Sequence, residues 1–172
     1  MNKNGQKAFF FDRDGVINID HGYVSKIKDF TFIDGIFPVM RALAARGYAL
    51  IIVTNQSGIG RGYYTKNDFQ TLTDWMLERF TEEGIHIAGV YSCPHSPELD
   101  CDCRKPAPGM FLQAIREHGI DPAASWMIGD KPSDMAAAAA AGISNRVLLG
   151  GAVSSHSTNQ ISKLSELMEL PV

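Results

Sequence analysis

Five short apolar runs, each closed by a turn or by polar residues, restrict this chain more than any other feature of its sequence. They lie at 8–11, 49–53, 87–91, 126–128 and 147–149, and their length suits strands buried in a sheet. Helical punctuation fills most of the gaps. The segment 37–46 has Pro38 near its first turn and stops at Gly47, while Thr65 with Asp68 three residues on predicts the cap of a long helix ending near Gly84. Helices are also predicted at 108–118 and 132–141, stopped by Gly119 and Gly142. Strands alternating with helices of this length connect through right-handed crossovers, so the expected architecture is α/β, a mainly parallel central sheet with helices on both faces. Ligands of such sheets bind beyond the carboxyl ends of the strands. Asp12, Asp14, Thr54, Asn55 and Asp130 all follow apolar runs closely and are therefore the first candidates for function.

The 172 residues, 45% of them hydrophobic, suit one compact domain spanning 1–172 with a core of its own. A net charge of -3 provides no polycationic surface, which argues against nucleic acid or an anionic membrane as the main partner. The four-residue apolar run near the start is too short for the core of a secretory leader, and no later stretch approaches a membrane span. A cytoplasmic protein, expected as a monomer, follows. The alanine run 136–141 reads as a tightly packed helix, and 150–160, rich in Gly, Ser, Thr and Asn, as a mobile loop before a short last helix around 163–170.

The run ending at Phe11 delivers Asp12 and Asp14 into a loop, with Gly15 allowing the sharp turn that follows. Two nearby carboxylates with Asp130 as a third make a hard-oxygen site suited to Mg²⁺. D-x-D alone is more often an ordinary solvated turn. The context adds Thr54, whose hydroxyl can bind phosphate oxygens, and Lys105, which can neutralise them. Asp134 either faces the same metal or caps the helix that it begins.

Cys93, His95, Cys101 and Cys103 give C-x-H, five intervening residues, then C-x-C, a set that can close a tetrahedral Cys₃His site for structural Zn²⁺. The plainer reading is a loop of reduced cysteines with an unrelated histidine. Arg104 and Lys105 follow immediately, so zinc would fix a loop that aims two cations at phosphate.

The pieces DRDG, VTNQSG, RKP and GDKPSD, in this order, resemble the haloacid dehalogenase (HAD) superfamily of phosphotransferases. The resemblance implies a three-layer Rossmann-like HAD fold with a zinc-binding loop, and the spacing of the motifs leaves no room for a large cap domain. It further implies Asp12 as nucleophile, Asp14 as general acid and base, Thr54 and Lys105 as phosphoryl clamps, and Mg²⁺ held by Asp12, Asp130 and Asp14, the last mainly through its backbone carbonyl. Covalent capture on Asp12 divides a slow hydrolysis into two easier transfers.

Longer stretches, DRDGVINIDHGYV, FIDGIFPVMRAL, VTNQSGIGRGYYT, CDCRKPAPGM and MIGDKPSDMAAAAAAGI, resemble the D-glycero-D-manno-heptose-1,7-bisphosphate 7-phosphatases up to about Leu149. That family acts on a small sugar bisphosphate in ADP- or GDP-heptose precursor synthesis for lipopolysaccharide or surface glycans. The resemblance implies substrate contacts from Asp20, His21, Gly22, Tyr23, Asn55, Gln56, Ser57, Arg104 and Lys131, with Arg104 suited to the remote phosphate. The histidinol-phosphate phosphatases share the DRDG start and the zinc loop. The stretches 20–24 and 60–65 fit the heptose family better, whereas the short SPELD segment is as in the histidinol-phosphate relatives. A phosphosugar-binding protein without turnover and a zinc-stabilised interaction module are the alternatives outside enzymes, and Asp14 argues against both. Arg61 reads as a solvated loop residue, His86, His118 and His156 as structural or exposed, and Phe30, Phe32 and Ile33 as core.

Overall fold

A computed structural model describes residues 5–172. The chain runs β1 (Ala8–Phe11), α1 (Ile36–Ala45), β2 (Ala49–Asn55), α2 (Ser57–Gly60), α3 (Lys66–Glu82), β3 (Ile87–Cys93), α4 (Gly109–His118), β4 (Trp126–Gly129), α5 (Pro132–Ala140), β5 (Asn145–Leu149) and β6 (Asn159–Ile161). Short 3₁₀ turns occupy Ile27–Asp29, Pro122–Ala124 and Leu164–Glu169. The strands form one sheet in the order β3-β2-β1-β4-β5-β6, parallel throughout. Among the described residues no large cap is inserted between these elements.

β1 explains why its sequence is apolar at every position. It lies between β2 and β4, so that Phe10 pairs with Ile51 on one side and Met127 on the other. Both of its faces are covered. Phe9 and Phe11 join Leu50 and Ile52 under α1 and α3, through Met40, Leu43, Met76 and Phe80. Ala8 and Phe10 turn the other way, to Ile51 and Val53 and to Phe111, Ala114, Ala137 and Ala138 of α4 and α5. Alternation exists in space but not in letters, because helices bury both faces of a parallel sheet. Each phenylalanine so enclosed stabilises the fold by about 1.5–3 kcal/mol. The expected three layers are therefore present, and the core includes Phe30, with Phe32 and Ile33 packed against it.

The expected cap of α3 is formed in both senses: Asp68 N–H donates to Thr65 Oγ1 at 3.1 Å, and Thr65 N–H donates to Asp68 Oδ2 at 2.7 Å. Two departures from the sequence reading stand out. The segment 150–160 ends in β6, with Thr158 N–H donating to Arg146 O at 2.8 Å and Gln160 Nε2 donating to Gly150 O at 2.7 Å. The last helix is a 3₁₀ segment, Leu164–Glu169. β3 also runs on to Cys93, which carries the first thiol to the carboxyl end of the sheet.

Between β3 and β4 the chain crosses from one edge of the sheet to the far side of β1. β1 and β4 are thus neighbours at the point where the winding reverses, and the crevice beyond their carboxyl ends is where this topology opens a site.

Candidate active site

Asp12 is the first residue past β1, and Asp130 is the first past β4. Their carboxylates, with that of Asp134 in the first turn of α5, each place an oxygen within 4.8 Å of the others. Asp130 Oδ1 is buried without a hydrogen-bond partner. One ammonium enters this group: Lys105 Nζ donates to Asp12 Oδ1 at 2.9 Å, to Asp134 Oδ1 at 2.7 Å and to Val53 O at 3.0 Å. Asp134 Oδ2 accepts from Lys131 N–H at 3.1 Å. Of the two sequence readings of Asp134, the helix-capping bond is formed, and the same carboxylate belongs to an acidic cluster that could hold a metal. Gly15 admits this convergence, because a Cβ there would run into the Asp130 carboxylate, and its φ is +91°.

Thr54, near the carboxyl end of β2, is 1% exposed and accepts from Gln56 Nε2 at 2.9 Å. The same Gln56 amide donates to Asp14 Oδ2 at 3.0 Å and is oriented by the Tyr64 hydroxyl, which donates to Gln56 Oε1 at 2.5 Å. Asp14 Oδ1 accepts from Arg13 Nη2 at 2.8 Å and from Asn18 Nδ2 at 3.0 Å. Arg13 is 1% exposed and also donates to Val24 O at 2.7 Å, tying the 20–24 loop to the Asp14 carboxylate.

Above these groups lies a hollow of about 460 Å³. Asp12, Asp14, Asp20, Gly22, Tyr23, Asn55, Gln56, Ser57, Arg104, Lys105 and Lys131, all anticipated from sequence, line it. Thr54 and Asp130 are not among its lining residues, and His21 lines a neighbouring hollow with Lys28, Asp29 and Thr31 instead. Tyr64, Pro106, Ser133 and Asp134 complete the wall. The sequence reading did not assign the first three, although each lies inside or beside a motif that it used.

A family model described as HAD-hydrolase-like matches residues 102–166. The D-glycero-beta-D-manno-heptose-1,7-bisphosphate 7-phosphatase of Haemophilus ducreyi is 51% identical over 152 residues, covering 84% of each chain. The Helicobacter pylori (strain ATCC 700392 / 26695) protein of the same name is 48% identical over 170 residues, 97% of this chain and 98% of its own. The chain belongs to the heptose-1,7-bisphosphate 7-phosphatase family. Among solved structures, the D,D-heptose 1,7-bisphosphate phosphatase of B. bronchiseptica, complexed with magnesium and phosphate, superposes with a TM-score of 0.86 at 28% identity, covering 95% of this chain and 96% of its own. The protein is therefore a phosphoric monoester hydrolase of HAD type.

In this phosphatase the buried charges do not balance. Burial above all, and then the Asp134 carboxylate, push the Asp12 carboxyl well above the usual carboxylate range, with the Lys105 ammonium pulling the other way. Asp130 is raised too, by burial first. For Lys105, burial works against the charge, but Asp12 and Asp134 outweigh it and hold the ammonium protonated. Three carboxylates therefore cluster around a single buried ammonium that pairs with two of them, and one Asp130 oxygen has no donor. An all-oxygen donor set in need of positive charge fits a hard divalent cation.

Arg104, Lys105 and Pro106 of the wall directly follow the cysteine loop. Cys93, His95, Cys101 and Cys103 bring one ligating atom each within 4.8 Å of the others, a set that could hold zinc. Cys103 Sγ lies 3.3 Å from His95 Nδ1 and 3.7 Å from Cys101 Sγ. Burial pushes the Cys93 thiol up to about 12. Burial also raises Cys101, but the Arg104 backbone N–H and the neighbouring thiols outweigh it and bring that thiol down to about 7. The loop rests on α2, where Gly60 N–H donates to Pro94 O at 2.8 Å and a Cβ on Gly60 would press on the Ser96 backbone. Arg61 reaches Glu98 of this loop at 3.6 Å, and His118 Nε2 lies 3.0 Å from the Tyr91 hydroxyl. At the mouth, Lys131 Nζ donates to Asp20 Oδ2 at 3.2 Å, and the Tyr23 and Tyr63 rings meet edge to face at 4.8 Å.

Proposed function

We propose that this phosphatase removes the 7-phosphate of D-glycero-β-D-manno-heptose 1,7-bisphosphate with Mg²⁺ bound, through a phosphoryl-aspartate on Asp12. The observation that carries the reading is the convergence of Asp12, Asp130 and Asp134 at the carboxyl ends of adjacent strands, with Asp12 and Asp134 paired to the buried Lys105 ammonium. Asp12 and Asp130 would hold Mg²⁺ through carboxylate oxygens and Asp14 through its backbone carbonyl. Asp134 shares its carboxylate with Lys105. When bound, the cation neutralises the phosphoryl oxygens that an anionic nucleophile must approach. The magnesium and phosphate complex of the B. bronchiseptica neighbour supports this choice of metal. Zn²⁺ in the Cys93, His95, Cys101 and Cys103 site is structural in this reading, because four protein ligands leave no position for water.

In the first step an Asp12 carboxylate oxygen forms a bond to phosphorus as the bond from phosphorus to the sugar O7 breaks. Asp14 gives its proton to the departing alkoxide. Lys105 and the Thr54 hydroxyl stabilise the charge on the transferring group. In the second step water attacks phosphorus, Asp14 recovers a proton from it, and the phosphorus–Asp12 bond breaks to release inorganic phosphate. Asp20, Gly22 and Tyr23, with Gln56 and Ser57, form the walls against the sugar, and His21 backs the 20–24 loop. Arg104, whose buried Nη1 has no partner, and Lys131 take the 1-phosphate. The whole chain acts as one HAD-like domain, a cytoplasmic monomer, in ADP- or GDP-heptose precursor synthesis. The bacterial relatives' name supports the β anomer.

The short segment between His95 and Cys101 favours histidinol phosphate as the second reading. Phosphate release from both heptose-1,7-bisphosphate anomers and histidinol phosphate, measured in parallel with Mg²⁺ and with Asp12→Asn as control, separates the two. Preference for the β-heptose is expected, and faster release from histidinol phosphate would overturn the assignment.

A further inference from the structure

We propose that Asn55 is a positioning residue for Lys105, fixing its backbone so that the ammonium lands between Asp12 and Asp134, rather than a residue that reads the substrate. This rests on the reading of Lys105 as a phosphoryl clamp. Asn55 is the last residue of β2. Its Nδ2 donates to Lys105 O at 3.1 Å, and its Oδ1 accepts from Lys105 N–H at 3.0 Å. The two bonds reproduce one rung of a strand pairing with a side chain in place of a strand, across 50 residues of sequence. Bonded at both ends to the same backbone, the carboxamide cannot turn into the hollow without leaving a Lys105 group unpaired.

Lys105 returns to β2 a second time, through Nζ to Val53 O at 3.0 Å. Backbone and ammonium are therefore both referred to the strand that ends in Thr54 and Asn55. The rest of the segment is tied locally, by Ala107 N–H to Arg104 O and Gly109 N–H to Asp102 O, each at 2.8 Å, and by Cys103 two residues upstream. Of these ties only Cys103, 2.9 Å from Cys93 Sγ at the end of β3, reaches the sheet, and it does so two residues before Lys105. Asn55 ties the Lys105 backbone itself to β2, and the ammonium it places has carboxylate partners at 2.7 and 2.9 Å. A displacement of about 1 Å at such a centre can cost about 100-fold in rate.

Asn55→Ala should lower kcat about 10- to 100-fold while KM changes less than about threefold, with zinc content unchanged. A rise in KM with kcat retained would mean that Asn55 touches substrate, and would overturn the proposal. The double variant with Lys105→Met sharpens the test: Asn55→Ala should change residual kcat by less than about twofold once the ammonium is gone. An equal loss in both backgrounds sinks the positioning role while leaving the clamp intact. A Lys105→Met single variant that keeps full kcat sinks the clamp reading and this proposal with it. Wild-type hydrogen exchange needs no variant. The Lys105 amide, outside any helix or strand, should be protected, and exchange at the rate of an open loop would overturn the assignment.

Discussion

Asp12 sits where burial disfavours its charge and where two further carboxylates crowd it, a position suited to a nucleophile or a metal ligand. Asp12→Asn keeps the volume and removes the anion. It should cut phosphate release by at least about 10⁴-fold while zinc content and the unfolding midpoint stay near those of the wild type. Appreciable turnover from that purified variant would dismiss Asp12 as the nucleophile. Asp12, Thr54 and Asp130 were legible in the sequence because each follows an apolar run, and the sheet rule converts that order into a place. Arg13 and Tyr64 were not. Their importance lies in contacts with Val24 O and Gln56, eleven and eight residues away along the chain, and no local pattern announces such partners. Asn55 was legible as a site residue but not in its geometry, because only the folded chain brings Lys105 alongside it.

Elements rather than single residues decide whether the cysteine loop is ordered. Its last thiol is two residues from Lys105, and α2 rests on its first half through Gly60. Cys101→Ser should therefore release zinc and lower the thermal midpoint, since binding energy of a structural metal is folding energy. Activity should fall with it, through Lys105. Zinc analysis of the purified variant is the check, and full retention of one zinc per chain would contradict a four-ligand site. At this scale the helices with clear punctuation were legible, the Thr65 and Asp68 cap included. β6 was not, since Asn159 and Gln160 are polar and the strand exists only because β5 offers an open edge. α2 is four residues, Ser57–Gly60, too short for any periodicity to register.

For the molecule as a whole, the unbalanced carboxylates couple stability to metal and to pH. Asp12 and Asp130 have raised values in the folded state, so their contribution to stability is present below the ordinary carboxylate range and is lost as pH rises through those raised values. Mg²⁺ bound to the ionised groups should restore what is lost. At about 100 times its dissociation constant it adds about 2.7 kcal/mol, or about 5–10 °C in unfolding midpoint for a chain of this size. That shift should be larger at about pH 7.5 than at about pH 5, where proton and metal compete. An equal shift at both, measured by thermal unfolding with and without Mg²⁺, would place the cation elsewhere. The crossing from β3 to β4 has a different consequence, for a chain still being made. β1 gains its second neighbour only when Trp126–Gly129 appears, so the most apolar strand of the protein keeps an uncovered edge through most of synthesis. A ribosome paused between α4 and β4 leaves Phe9, Phe10 and Phe11 able to pair with another nascent chain, and it is at that stage that a chaperone has most to protect.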